Sequence, residues 1–185
     1  AMAVWKALSA TGDARRMGLI GTSAGGALVL AMALRAKRDN VPMPGAIASG
    51  TPMSDVTKTG DSFQTNAFVD NVLVSTDGFC DAAVRFYANG HDLDDPLLSS
   101  VYGDMQGFSP TILTTGTRDL LLSNTVRVHR KLRALGIVSD LHVYEGQSHA
   151  HYGRDERIPE TREAFSEITA FFDKHLVGCA DSSVR

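Results

Sequence analysis

Three polar side chains stand where hydrolysis by an activated serine would need them. Ser23 sits at the tip of Gly21-Thr22-Ser23-Ala24-Gly25-Gly26. A short apolar stretch (residues 17–20) precedes that run and a longer one (27–34) follows it. Strand, tight turn of small residues, then helix is the context of a nucleophile elbow, which lifts a serine hydroxyl above a sheet. The turn predicts a strained serine backbone. A side chain two positions to either side should collide with the strand or the helix, so Gly21 and Gly25 are read as relieving that collision. Gly26 is read as letting the helix start lie close to the sheet. The helix N-terminus would then aim backbone N–H groups, that of Ala24 first, at an anion forming on Ser23.

A serine hydroxyl is a weak nucleophile near neutral pH. It needs a base within hydrogen-bond reach, and the base needs a third group to fix its tautomer. Asp119, the one carboxylate of Gly116-Thr117-Arg118-Asp119, and His149, in Glu145-Gly146-Gln147-Ser148-His149-Ala150-His151, are the candidates. Each also has a plainer reading. Asp119 would serve as the N-cap of a following helix. His149 and His151 would serve as surface histidines or as a His-x-His metal pair, although no Cys or further His in that loop completes a metal site. His151 rivals His149 as base; His149 is preferred because it lies nearer the strand end. Asp92, Asp94 and Asp95 read as a solvated loop rather than a cation site. His129, among Arg127, Arg130 and Lys131, reads as surface. No metal and no cofactor are expected.

The elements that must position these groups follow from periodicity. A helix over residues 2–11 carries Val4, Trp5 and Leu8 on one face. Strands are predicted at 17–20, 46–49, 111–115 and 140–144. Helices are predicted at 24–38, 123–135 (ending at Gly136, a C-cap signal) and 159–176. Residues 51–109 are irregular, with helical pieces near 63–74 and 79–88. Strands alternating with helices predict an α/β fold: a partial, mostly parallel sheet of about four strands with flanking helices. In such sheets chemistry gathers at the carboxyl ends of strands. Ser23, Asp119 and His149 follow the first, third and fourth strands. Residues 1–185 are read as a single domain, with 51–109 as a pocket- or cap-like insertion.

Composition sets the outer limits. The 185 residues are 43% hydrophobic and 21% charged, the ordinary balance of a globular domain. A net charge of −3 gives no basic surface for nucleic acid. The longest apolar run, 27–34, is too short to span a bilayer, and the N-terminus lacks the features of a signal peptide. Two cysteines, Cys80 and Cys179, read as thiols in a reducing, cytoplasmic setting.

The Ser, Asp, His chain order is that of α/β-hydrolases. The sequence resembles their hormone-sensitive-lipase-like family, the group of bacterial carboxylesterases. The segments carrying the resemblance are Gly21–Gly26 (family form G-D-S-A-G-G, with Thr22 in place of Asp), Asp95-Pro96-Leu97, residues 110–122 and residues 144–149. The resemblance implies an α/β-hydrolase-like fold with Ser23 as nucleophile, His149 as general base and Asp119 orienting it. It also implies hydrolysis of small acyl esters through an acyl-enzyme. The alternatives are a prolyl-oligopeptidase-type serine peptidase and a non-catalytic binding or assembly module. Family members carry an upstream His-Gly-Gly-Gly loop that binds the oxyanion. Only 22 residues precede Ser23 here, and no such loop occurs in the sequence. The expectation is a chain lacking its N-terminal part and weakly active, with Ala24 as the remaining oxyanion donor. The same reasoning leaves an exposed sheet edge near 17–20 and the Val4, Trp5 and Leu8 face without a partner, so self-association into a homo-oligomer is expected there.

Overall fold

The computed structural model describes residues 1–178; Cys179 lies outside the described residues. Helix α1 (Met2–Thr11) leads into strand β1 (Gly18–Thr22), helix α2 (Ala24–Arg38) and strand β2 (Ala46–Gly50). A long crossover holds the short helices α3 (Ser62–Thr65) and α4 (Phe79–Ala88). Strand β3 (Thr111–Gly116), helix α5 (Leu122–Ala134), strand β4 (Ser139–Tyr144) and helix α6 (Pro159–His175) follow. The four strands pair in parallel in the order β1-β2-β3-β4.

Burial explains the sequence of the strands. β2 and β3 are buried at every position, as the central strands of a parallel sheet covered on both faces must be. Their side chains alternate between two cores. Ile47 and Leu113 join Val29, Leu30 and Ala33 of α2 and Val128 and Leu132 of α5 on one face. Ala46, Ala48 and Ile112 meet Phe171 of α6, with Ile168 and Phe172 beside it, on the other. Strand β1 lies at an edge and alternates exposed with half-buried positions.

The predicted elements are present, with boundaries shifted by one or two residues. Helix α5 stops as its sequence indicates: Gly136 has φ 72°, and the Ile137 N–H donates to the Leu132 carbonyl at 3.0 Å. Three expectations need correction. The helix expected over 63–74 shrinks to the single turn α3. Beyond it, Asp70 Oδ1 accepts the N–H groups of Val72 and Leu73, and Phe68 and Val74 take positive φ. A side chain that captures local N–H groups competes with the helix ladder. The face of α1, expected to lack a partner, is covered at Trp5, which packs against Ala14 and Ala36 and donates its indole N–H to Pro42 O at 2.9 Å. Val4 and Leu8 are exposed. His129 is half-buried rather than at the surface, with Nδ1 2.9 Å from Ser139 Oγ, and burial lowers its pKa.

Candidate active site

Three loops at the carboxyl ends of the strands converge. Ser23 links β1 to α2 with φ 61° and ψ −122°, a conformation rarely adopted by a residue other than glycine. Its N–H is anchored to Gly50 O at 2.9 Å. A Cβ on Gly21 would lie 2.2 Å from Gly25 O, and one on Gly26 would lie 2.6 Å from Gly50 O. Both glycines therefore permit close backbone approach, as their spacing implies. Gly25 does not: a Cβ there would meet nothing within 4 Å. It occupies the first turn of α2 facing open space, so the expected collision at that position is absent. Ala24 begins α2, and its N–H belongs to the turn that has no intrahelical acceptors.

His149 and Asp119 are buried, and both reach Ser23's end of the sheet. His149 Nε2 lies 2.8 Å from Ser23 Oγ, and His149 Nδ1 lies 3.0 Å from Asp119 Oδ1. Asp119 is fully buried. Its Oδ1 also accepts the Leu121 N–H at 2.8 Å, and its Oδ2 accepts the Thr115 hydroxyl at 3.0 Å and the Thr51 hydroxyl. Asp119 is thus an acceptor throughout. That makes Nδ1 the donor of the imidazole and leaves the Nε2 lone pair for the serine hydroxyl. Asp119 is not the N-cap of α5, as the plainer reading would have it: Leu121 holds that position, and Asp119, besides accepting the Leu121 N–H, faces the imidazole. His151 begins the next turn, its N–H donating to Ser148 O at 3.2 Å. Of the two histidines, His149 is the one that contacts Ser23.

Two residues of the site escaped the sequence reading. Thr51 follows β2 with φ 35°, and its Oγ1 stands 3.2 Å from His149 Nδ1 as well as against Asp119. The carboxyl-end rule points to it directly once applied to the second strand. Asp70 comes from the irregular segment, where the apolar spacing points to a helix rather than to a site residue. One donor atom each from Asp70, Asp119 and His149 lie within 4.8 Å of one another, a spacing that could also hold a cation. The carboxylate oxygens already face N–H and O–H donors, all of which a cation would have to displace.

The fold has counterparts among known proteins. A family model described as alpha/beta hydrolase fold matches residues 1–153. The crystal structure of an esterase, E25, aligns with a TM-score of 0.91 and 51% identity, covering 94% of this chain and 53% of that one. An esterase from the bacterial hormone-sensitive lipase family aligns with a TM-score of 0.82 and 30% identity, covering 89% and 55%. An esterase of Acinetobacter venetianus is 26% identical over 151 residues, 82% of this chain and 50% of that protein. The resemblance to the hormone-sensitive-lipase-like group is borne out. The chain spans about half the length of the curated relatives it matches.

The two flanking glycines should respond differently to one methyl group. Gly21→Ala drives its Cβ into the Gly25 carbonyl and is expected to cost about 1–3 kcal/mol. Gly25→Ala gains helix propensity in open space and is expected to be neutral or stabilising by up to roughly 1 kcal/mol. Urea midpoints of the two variants check this; equal destabilisation would contradict the geometry.

Proposed function

This chain belongs to the alpha/beta hydrolase fold family, and we propose that it carries the serine-nucleophile site of a carboxylesterase acting on small acyl esters. One contact carries the reading: His149 Nε2 lies 2.8 Å from Ser23 Oγ while its other nitrogen is held by Asp119. As Ser23 Oγ attacks the acyl carbon, its proton passes to His149 Nε2. Asp119 keeps the ring oriented and favours the imidazolium that forms. The carbonyl oxygen becomes an oxyanion, which the Ala24 N–H and the N-terminal end of α2 stabilise. Collapse breaks the bond to the leaving alcohol, whose oxygen takes the proton from Nε2. Water, deprotonated by the same nitrogen, then attacks the acyl-enzyme and releases the acid.

The rest of the chain is read as serving that site. The described residues are read as one domain, with 51–109 as the insertion that shapes the pocket and supplies Thr51. The β1 edge near 17–20 is the surface for a second copy of this chain. Ile20 is 55% exposed there, beside a cavity of about 200 Å³ lined by Thr22, Tyr152 and Phe165. No described helix is long and apolar enough to cross a membrane. The low cysteine count suits a cytoplasmic location. The relatives and structures compared above, named esterases or acetyl-hydrolases, do not favour the oligopeptidase-type reading or the non-catalytic module.

Hydrolysis of p-nitrophenyl acetate by the purified protein tests the activity. Ser23→Ala and His149→Ala should each lower kcat by roughly 10⁴-fold or more. Thr51→Val should lower it about tenfold, the worth of one hydrogen bond to a charged group. Undiminished turnover by Ser23→Ala would end the proposal. For the edge, light scattering should give a dimer that Ile20→Lys converts to monomer. A folded, monomeric wild-type protein would refute that contact.

A further inference from the structure

We infer that Asp70 is a positioning residue for the catalytic triad, clamping the loop that bears Asp119 to the loop that bears His149. The inference rests on the triad reading above. Asp70 is only 1% exposed. Its carboxylate is held by backbone N–H groups. Oδ1 accepts from Val72 at 2.9 Å and Leu73 at 3.3 Å, a local turn that a serine or asparagine could cap equally well. Burying a full negative charge for that turn alone would be costly.

The remaining contacts reach across the fold. Oδ2 accepts the Leu120 N–H at 2.9 Å, on the residue next to Asp119. The His149 N–H points at Oδ1 from 3.4 Å. One carboxylate therefore bridges the loops after β3 and β4. Its neighbours repeat the pattern: Asn66 Nδ2 donates to Thr117 O at 3.1 Å and Asp119 O at 2.8 Å, and the Asn71 N–H donates to Ser148 Oγ at 3.3 Å. Residues 66–71 thus hold both loops from one side.

The charge matters as well as the tether. A carboxylate oxygen of Asp70 lies within 4.8 Å of a His149 ring nitrogen. His149 becomes cationic only as the reaction proceeds, so a nearby negative charge helps the transition state more than the ground state. Misplacing a catalytic group by about 1 Å can cost on the order of 10²-fold in rate. Both effects fall on kcat rather than on KM.

Asp70→Asn keeps the side-chain volume but removes the charge and turns one acceptor into a donor facing N–H groups. In the purified protein, a fluorophosphonate probe counts reactive Ser23, and p-nitrophenyl acetate turnover is expressed per labelled serine. The expected result is a fall in kcat per labelled serine of about 10–100-fold with KM within about twofold. Loss of labelling from a protein that still melts cooperatively would also support the inference. A lower melting temperature with kcat per labelled serine unchanged makes Asp70 a stability residue only and overturns it. Should Asp70→Asn fail to fold, Asn66→Ala, which frees the Asp119 carbonyl, must show the same loss of kcat, and unchanged turnover overturns the inference. Ser23→Ala measured alongside separates the two readings. If that variant is inactive while Asp70→Asn is normal, only the role of Asp70 falls; if it stays active, the triad falls and Asp70 with it.

Discussion

The hydrogen bond between Asp119 and His149 Nδ1 is the interaction on which the site depends. An imidazole presents two nitrogens on opposite sides, and only one of them can take a proton from Ser23. Fixing the hydrogen on Nδ1 leaves Nε2 free to accept, 2.8 Å from the serine hydroxyl. On the proposed reading, the carboxylate is what keeps the ring from turning or changing tautomer and so keeps Ser23 activated.

Sheet geometry makes that bond hard to arrange. Ser23 follows β1 and His149 follows β4, three strand spacings apart, or roughly 14 Å. The loop after β4 must therefore lean back across the strand ends. Gly116, at the end of β3, leaves the room: a Cβ there would lie 2.0 Å from Gln147 O. The Arg118 N–H then donates to that same oxygen at 3.1 Å, tying the Asp119 loop to the His149 loop. Thr51, from the end of β2, fills the space between β1 and β3 with a hydroxyl directed at the carboxylate. Each strand of the sheet thus contributes at its carboxyl end, and the irregular crossover braces the assembly from the side.

How far a residue could be read from sequence followed how local its signal is. Ser23 announces itself through glycines two and three positions away. Asp119 and His149 are legible because each follows a short apolar strand. Thr51 follows such a strand too, yet a threonine after β2 carries no chemistry by itself; its meaning comes from Asp119, 68 positions away. Asp70 and Asn66 are further from reach, since their partners are backbone groups of other loops, and backbone groups leave no mark in sequence. The apolar residues around Asp70 suggested a helix, and the carboxylate that breaks that helix is the same one that braces the site. Gly25 shows the opposite failure: a motif position was assigned a steric reason where the backbone has space to spare. In α1, helical spacing placed Val4, Trp5 and Leu8 together, but of the three Trp5 alone is buried.

The most direct test of the central claim is to stop p-nitrophenyl acetate turnover by acid quench and map the acetyl group by peptide mass spectrometry. The account expects the acetyl group on Ser23, at a level that collapses in His149→Ala. Sustained turnover with no acetyl on Ser23, or equal acetylation without His149, would contradict it.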